Sequence, residues 1–515
     1  MDAKQILKRS ERSWTVKNLW KTILEEAYEL ACPGVNPYVA SKKNPRVQDK
    51  LFDSTAVSST LRLTNRYFNE ITPPSGEMAT LEVGPLLEMQ VGKDKAVEVN
   101  KQLEMVNDIV VMMFQTISFA GSVWSAWLDY VIAGMGVMLM LENVKDDLEP
   151  FLFEAVSQSE VAIEEGVGGA VNALSRKRSI RVSQIKELWD DAKVPSMLQK
   201  KSKDDPEVDV LEYCYLKDRV WSYVVIYADN NNPEIMVERE YSTCPFIVWR
   251  SMKISGSAYG LSRVLMALPD IRTANKSKEM VLKNAALALA GMYLAADDGV
   301  LNVDTIQITN GGIIPVARTG GSLGASIAPL ETGRSFDVGQ LVLEELRTQI
   351  KKALLDNQLP PLNGKVRSAT EFIERQKELA EDIGGELPRL LMELVVPLYR
   401  RAIDIGSRRG MIPNLKIDQF ALKVTVKTPL ARGQDVQEVE KIVQWWQILT
   451  MLLGPQMAMA AVKMPDIVPY VSRMIGIPSD LYNNKTENEA LQNQVVQLVA
   501  AQQAQQVQNS IPQQA

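Results

Sequence analysis

Apolar residues spaced three and four positions apart predict helices along much of this chain. Residues 1–32 carry such a stripe, and so do residues 53–71, where Asp53 or Ser54 can cap the first turn. Residues 97–140 also read as mostly helical, with methionine-rich apolar faces. The stripe near the N-terminus consists of Leu19, Ile23, Ala27 and Leu30.

Alternating apolar and polar residues predict a small antiparallel β region between about residue 175 and residue 250. Its segments are VDVLEYCYLK, VWSYVVIYAD, EIMVERE and CPFIVWR, and the sequence Asn-Asn-Asn-Pro at 230–233 predicts a turn between two of them. We expect the aromatic side chains of these strands to pack across neighbouring strands, in preference to forming a binding cage. A further short strand is predicted at 423–428.

The second half of the chain predicts two helices around a turn-rich insert. The first helix covers 260–296, with Pro269 close to its first turns. Residues 297–335, rich in Gly, Thr and Ile, predict short strands between turns. Asp337 can cap the second helix, which covers 338–357. Its apolar stripe consists of Leu343, Leu346, Ile350 and Leu354.

A proline-containing loop at 358–367 precedes a very long predicted helix. Ser368 and Glu371 form a capping box, and the helical pattern continues to about Ile405. A continuous helix of about 38 residues would be roughly 57 Å long. A kink is predicted by Gly384, Gly385, Pro388 and Pro397. The remaining chain is predicted to be helical, ending in a Gln-rich helix from Thr486.

Composition narrows the possible chemistry. The 515 residues include no histidine, which excludes catalytic and zinc sites that depend on imidazole. Cys32, Cys214 and Cys244 have no CxxC spacing, so we expect no zinc site and a reducing compartment. The formal net charge of -6 argues against a protein that grips nucleic acid through a basic surface. The segment NGKV at 363–366 is not a phosphate-binding loop, and we expect no cofactor.

Neither secretion nor membrane insertion is predicted. The start, MDAKQILKRSERSW, is charged and lacks an apolar segment, so no secretory signal is expected. The most apolar run, YVIAGMGVMLML at 130–141, has about 12 residues, whereas a spanning helix needs roughly 20. We therefore expect a buried core segment at this place and no membrane anchoring.

Four segments carry information beyond periodicity. They are DSTA with LTNRYFNEITPPSG (53–76), CPFIVWR (244–250) followed by GSAYGLS (256–262), RSATEF (367–372) and ARGQDVQEVEKIVQWW (431–446). In this order they resemble segments of the portal protein, or head-to-tail connector, family of short-tailed double-stranded-DNA phages. The likeness extends from about residue 10 to about residue 450.

The resemblance implies the ring-forming portal fold, which is mixed, mainly α, with small β regions. A ring would also explain the long helix, which has to cross from the channel to the crown. In the family's terms the chain divides into a wing (1–255), a first stem helix (256–296), a clip (297–336), a second stem helix (337–357), a tunnel loop (358–367), a long kinked helix with its return to the wing (368–427), and a crown with a C-terminal helical barrel (428–515).

The resemblance also implies a function. The expected assembly is a ring of twelve subunits at one capsid vertex, which forms the channel for DNA packaging and ejection. The implied partners are other copies of the chain, major capsid and scaffold proteins, the terminase large subunit, tail adaptor and tail tubular proteins, and the double-stranded DNA in the channel. The protein would be structural and no enzyme, located in the virion and assembled in the host bacterial cytoplasm.

The tunnel loop and the clip that the resemblance implies contain candidate residues for contacts with DNA and with terminase or tail proteins. Lys365 and Arg367 are hypothesised to touch passing phosphates, and salt bridges within or between subunits are an equal alternative. Lys276, Lys278 and Lys283 are interpreted as a solvated or inter-subunit face. The DNA-facing candidates are Asn357, Gln358, Asn363, Lys365 and Arg367. The candidates for terminase or tail contacts are Asp297, Asp298, Asn302, Asp304 and Arg318.

Two other classes of protein stay open at this point. A His-independent hydrolase could work with two carboxylates, as glycosidases do, although no pair of acids in this sequence is singled out. A membrane-associated pore would need an apolar surface that the sequence lacks. Ring formation without lipid distinguishes the portal hypothesis from both.

Overall fold

The structure is a computed structural model of the chain. Apart from a few isolated positions near its C-terminal end and at 198, it describes residues 2–38, 50–73, 77–143, 149–195, 205–228, 233–290, 293–295, 327–329, 336–356, 382–413, 422–426 and 429–454. Of the described residues, 56% are helical and 23% lie in strands, which confirms the predicted mixed, mainly helical composition.

The helices supply most of the framework. They are α1 (Ala3–Ala31), α2 (Thr55–Ile71), α3 (Pro85–Val91), α4 (Lys93–Phe114), α5 (Ile117–Ala133), α6 (Val182–Leu188), α7 (Arg263–Ala290), α8 (Phe336–Ala353), α9 (Leu387–Leu390), α10 (Val396–Arg408) and α11 (Pro429–Leu453). The helix predicted over 53–71 is confirmed as α2. Ser54 is its N-cap residue and makes no capping hydrogen bond through its side chain, whereas Oδ1 of the preceding Asp53 accepts a hydrogen bond from Thr55 N at 3.0 Å.

The strands form five separate small sheets in the described part of the chain, all with antiparallel pairing. The largest has the order β4-β5-β6-β7-β8, and a second has the order β3-β2-β9. The strands are β1 (Ala79–Val83), β2 (Met135–Glu142), β3 (Phe151–Ala155), β4 (Val161–Glu165), β5 (Val171–Arg181), β6 (Glu207–Lys217), β7 (Val220–Tyr227), β8 (Glu234–Tyr241), β9 (Phe246–Arg250), β10 (Met252–Lys253), β11 (Gly260–Leu261), β12 (Tyr293–Ala295), β13 (Ile327–Pro329) and β14 (Leu422–Val426).

The predicted β region exists but is larger than expected. The β region begins with β2 at Met135, well before residue 175, and β9 pairs with β2 instead of continuing the sheet of β6, β7 and β8. Tyr223 packs against Tyr241 of the neighbouring strand with ring centroids 6.2 Å apart, in line with the expected cross-strand packing. The turn predicted at 230–233 falls largely outside the described residues. Strand β14 confirms the predicted strand at 423–428, and it pairs with β1.

The apolar run at 130–141 is a buried core segment, as predicted, but it is not one helix. Helix α5 ends at Ala133, Gly134 adopts a left-handed conformation with φ +81°, and β2 begins at Met135. A helical prediction to residue 140 was therefore wrong, because Gly134 terminates the helix. In the described residues no single helix is long and apolar enough to cross a membrane, and only α4 and α5 taken together, bent by 76°, meet that criterion.

Two cores hold these elements together. The main core lies among α2, α5, α7, α8, α10 and the inner part of α1. A second core lies between the two larger sheets and includes Trp189, Cys214 and Tyr223. Strand β2 contributes to both, because Met138 and Met140 face the main core while Val137 and Leu139 face the other.

The long predicted helix is described only from residue 382 onward. It is interrupted at Gly384–Glu386, where the chain turns, and this confirms the break expected at the two glycines. From Leu387 it runs to Arg408 through a π-helical turn at Leu391–Val395. Pro397 explains this turn, because proline has no N–H to bond to the carbonyl four residues earlier.

Candidate functional site: the α7–α8 helix pair and its anchorage

Helices α7 and α8 pack against each other as an antiparallel pair, connected through strands β12 and β13. The helix predicted over 260–296 is thus shorter than expected: it ends at Ala290, and β12 begins at Tyr293. A Cβ placed on Gly339 of α8 would lie only 3.8 Å from Val281 of α7. The predicted stripe of α8 is confirmed, since Leu343, Ile350 and Leu354 are buried and Leu346 packs beside them.

Asp53 anchors α8 to the start of α2. Its carboxylate accepts hydrogen bonds from Arg347 Nε at 2.9 Å and from the Thr55 backbone N–H at 3.0 Å. Burial alone would raise the pKa of Asp53, but the hydrogen bonds from Thr55 and Arg347 outweigh it and lower the pKa below its ordinary value. The carboxylate is therefore ionised at neutral pH, and it fixes the position of α8 against α2.

Asp356, directly after α8, is the second anchor. It is 9% exposed and accepts hydrogen bonds from Ser59 Oγ at 2.7 Å and Arg62 Nη1 at 3.0 Å. Arg66 donates to the carbonyl of Leu355 at 2.8 Å, where the backbone has a φ of +55°. Ser59, Arg62 and Arg66 lie three and four positions apart, so one face of α2 holds the end of α8.

Helix α7 is tied to the N-terminal part of the chain. Asn275 Oδ1 accepts hydrogen bonds from the backbone N–H groups of Phe52 at 2.7 Å and Asp53 at 3.0 Å. Arg272 makes a two-pronged ion pair with Glu26 of α1 at 2.6 and 2.7 Å. These contacts, with those of Asp53 and Asp356, hold both helices at the end that faces the main core.

A buried carboxylate, Glu386, joins the helix pair to the start of α9. It is 6% exposed and accepts a hydrogen bond from Tyr130 OH at 2.9 Å and a longer one from Tyr67 OH at 3.4 Å. Arg263, the first residue of α7, forms an ion pair with it at 3.4 Å, and Ser251 Oγ also lies at 3.4 Å. Four separate parts of the chain therefore converge on one carboxylate.

Arg250, the last residue of the segment CPFIVWR, is a buried arginine with several partners. Its side chain is 1% exposed, and it forms an ion pair with Glu393 at 2.6 Å. The same guanidinium donates to the carbonyls of Ala258 at 3.0 Å and Gly169 at 2.8 Å. Arg250 thus binds the π-helical turn to both larger sheets. An arginine at the end of an apolar strand was the one sign of this role in the sequence.

None of the candidate contact residues can be placed. Asn357, Gln358, Asn363, Lys365 and Arg367 lie outside the described residues, and so do Asp297, Asp298, Asn302, Asp304 and Arg318. The structure instead describes the residues next to these segments. Strands β12 and β13 flank 297–326, and Asp356 immediately precedes 357–367. The anchoring residues of α2 were missed by sequence reasoning, although their spacing of three and four was visible.

Two of the three α7 lysines that sequence analysis interpreted as a solvated or inter-subunit face have partners within the chain. Lys276 and Lys283 both form ion pairs with Glu279, at 2.9 and 2.6 Å, on an exposed face of α7. In the described part of the chain, no group of three or more Cys, Asp or Glu side chains could hold a metal ion.

The chain is similar in sequence to known phage proteins. A family model described as "Bacteriophage head to tail connecting protein" matches residues 3–482. The chain is 24% identical over 379 residues to the portal protein of Enterobacteria phage T3, covering 72% of this chain and 69% of the relative. It is also 24% identical over 378 residues to the portal protein of Escherichia phage T7, with the same coverage.

These matches confirm the resemblance seen in the four sequence segments, and they give no support to a carboxylate hydrolase. The family model covers nearly the whole chain, including the α7–α8 pair, both anchors and the Glu386 junction. The chain belongs to the bacteriophage head-to-tail connecting protein family.

Proposed function

We propose that copies of this chain assemble into a ring of twelve at one capsid vertex, where the ring forms the channel for DNA packaging and ejection. Family membership and the similarity to the T3 and T7 portal proteins support this function. In this proposal α7 and α8 are the stem helices, 297–336 is the clip, 358–367 is the tunnel loop and 428–515 forms the crown and barrel. The work of moving DNA belongs to a separate terminase, and the chain itself is structural.

One observation carries the proposal of a ring. The α7–α8 pair is anchored at its core end, while beyond it both helices expose large apolar side chains within one chain. Leu341 is 71% exposed, Met280 is 54% exposed, and Leu282 and Val342 are also exposed. Exposed apolar groups at this density are typical of surfaces that another subunit covers. Copies placed side by side around an axis would bury them repeatedly, as a closed ring requires.

The charge distribution supports a channel that does not hold DNA tightly. The chain carries a net charge of -6, and Lys276 and Lys283 are already paired with Glu279. A wall with these properties repels phosphates on average, so DNA can slide. Lys365 and Arg367 are the proposed points of transient phosphate contact beside the tunnel loop.

The remaining partners follow from the same assignment. The proposed clip, with Asp297, Asp298, Asn302, Asp304 and Arg318, would receive the terminase large subunit and later the tail adaptor and tail tubular proteins. Capsid and scaffold proteins would surround the wing. The ring would be assembled in the host bacterial cytoplasm and remain in the virion.

Electron microscopy and light scattering of the purified chain, without lipid or nucleotide, test the proposal. We expect rings with a central hole and high rotational symmetry. The double variant Met280→Glu and Leu341→Glu should reduce ring formation, because it places charges in the proposed subunit contact. Gln340→Glu, an exposed polar position beside Leu341, is the matched control and should leave the rings intact. Rings of unchanged abundance in the double variant would contradict the proposed stem contact, and particles without a hole at every concentration would contradict the ring.

A further inference from the structure

The second core contains two cysteines that lie close together although they are distant in sequence. Cys214 is in β6, and Cys244 immediately precedes Pro245 and β9. Their Sγ atoms are 4.0 Å apart, and both thiols are free. A disulfide requires a sulfur separation of about 2 Å, so the two atoms must come about 2 Å closer to form one.

We infer that Cys214 and Cys244 form a redox-active dithiol that a small disulfide compound, such as oxidised glutathione, converts into an intramolecular disulfide. Nothing in the connector role calls for such a pair, and the chemistry takes place within one chain. The inference is therefore independent of ring assembly.

The two thiols differ in access, which assigns their roles. Cys214 is fully buried, and burial together with its hydrogen bond to Cys244 raises its pKa well above the ordinary value. Cys244 is half-buried and lines a cavity of about 420 Å³. A small oxidant can therefore reach Cys244 first, and Cys214 can attack only afterwards.

The cavity has the chemistry to receive an anionic peptide disulfide. Its charged lining consists of Arg250 paired with Glu393, Lys253 paired with Glu165, and Arg389, and Arg389 can attract a carboxylate of glutathione. Its apolar wall includes Trp221, Phe246 and Met392, which can pack against the aliphatic parts of the peptide.

A buried guanidinium lies near the pair. Arg401 is fully buried and donates to the carbonyl and the hydroxyl of Thr243, at 3.1 and 3.2 Å. Its Nη2 atom is buried without a hydrogen-bond partner in the described part of the chain. The positive charge of Arg401 opposes the rise in the pKa of Cys214, although burial outweighs it.

The exchange balances in atoms and electrons. The Cys244 thiolate attacks one sulfur of oxidised glutathione, forms a mixed disulfide and expels one glutathione thiolate. Cys214 loses its proton, attacks Sγ of Cys244 and expels the second glutathione. Two protein thiols are oxidised to one disulfide, the glutathione disulfide is reduced to two thiols, and the two protons pass to those thiols.

The bridge would fasten the two larger sheets to each other. Cys214 belongs to the five-stranded sheet, whereas Cys244 leads into β9 of the three-stranded sheet. The segment before Cys244 is also bound to α10, because Ser242 and Thr243 donate to Asp404 at 2.5 and 3.1 Å. Oxidation would thus restrict the motion of α10 relative to the β-rich part of the chain.

Counting thiols after treatment with oxidised glutathione tests the inference. In the reduced chain, all three cysteines should react with an alkylating reagent under denaturing conditions. After treatment only Cys32 should react, and a peptide containing a Cys214–Cys244 link should appear in non-reducing mass spectrometry. Dithiothreitol should restore all three thiols and reverse any rise in Tm.

Single variants distinguish the order of attack. Cys214→Ala should accumulate glutathione on Cys244, because the second thiol is missing, whereas Cys244→Ser should take up none. Cys32→Ser is the control and should still form the link. Three alkylatable thiols in the treated native chain would overturn the inference, and so would a Cys214→Ala variant that carries no glutathione. If hydrogen peroxide forms the link and oxidised glutathione does not, the proposed binding of glutathione in the cavity is wrong.

Discussion

The side chains of Lys17, which is buried, and Asp129, which is half-buried, carry opposite charges and interact electrostatically where α1 packs on α5. Lys17 is 3% exposed and donates a hydrogen bond to Gln158 Oε1 at 3.1 Å, and Asp129 accepts one from Tyr28 OH at 2.5 Å. Burial lowers the pKa of Lys17 to about 7 and raises the pKa of Asp129 to about 7. The mutual attraction of the two charges offsets burial only in part.

Both shifts reduce stability near neutral pH. Unfolded Lys17 holds its proton up to 10.5, whereas folded Lys17 loses it above about 7, so stability rises with pH between these values. Unfolded Asp129 ionises above 3.8, whereas folded Asp129 stays protonated up to about 7, so stability rises as the pH falls between them. The contribution of the pair is therefore lowest near pH 7. The Lys17 shift alone corresponds to about 5 kcal/mol.

We expect the double variant Lys17→Met and Asp129→Asn to be more stable than the native chain by about 1–4 kcal/mol at pH 7. The gain is smaller than the desolvation energy, because the hydrogen bond to Gln158 is lost. Urea unfolding followed by tryptophan fluorescence, at pH values between about 5 and 9, should show an advantage that is largest near pH 7.

Lys21→Met, an exposed position on α1, is the matched control and should change the free energy of unfolding by no more than about 0.5 kcal/mol. An advantage of the double variant that did not vary with pH would refute the reasoning. A double variant less stable than the native chain at pH 7 would show that the pair stabilises the fold.

Three further predictions concern the junctions of the helix pair. Glu386→Ala should lower the free energy of unfolding by about 3–5 kcal/mol, because it removes the carboxylate that pairs with Arg263 and accepts hydrogen bonds from the buried hydroxyls of Tyr130 and Tyr67. Glu386→Gln should lower it less, and equal losses in urea unfolding would argue against a role for the charge. Asp356→Asn should lower the free energy of unfolding by only about 1 kcal/mol, because its partner Arg62 is half exposed. It should also speed hydrogen exchange in the last turn of α8, and unchanged exchange there would contradict the role of Asp356 as an anchor. Gly134→Ala should lower the free energy of unfolding by about 3 kcal/mol, because a Cβ would lie 2.5 Å from the carbonyl oxygen of Gly260. Gly410 also has a positive φ but no atom near its Cβ position, so Gly410→Ala should lower it by only about 1 kcal/mol. Similar Tm values for the two glycine variants would disprove the clash.

Periodicity predicted elements well wherever one face of an element is buried and the other is exposed. The stripe of α8 is an example, because a repeat of three and four positions leaves little choice of structure. The error at residues 135–140 has the opposite cause. Every position there is buried, so helix and strand share the same apolar pattern, and only Gly134 indicated the change.

The sequence by itself determined the family, the mainly helical composition and the absence of histidine chemistry. These depend on residue identity and local spacing, which need no knowledge of distant contacts. Only the tertiary structure decided that α2 holds the end of α8 through Asp356, and that Cys214 lies beside Cys244. Such pairings join residues far apart along the chain, and no local pattern encodes which of many charged or thiol groups will meet. They arise from the packing of whole helices and sheets, which brings polar groups together only after the apolar faces have been buried.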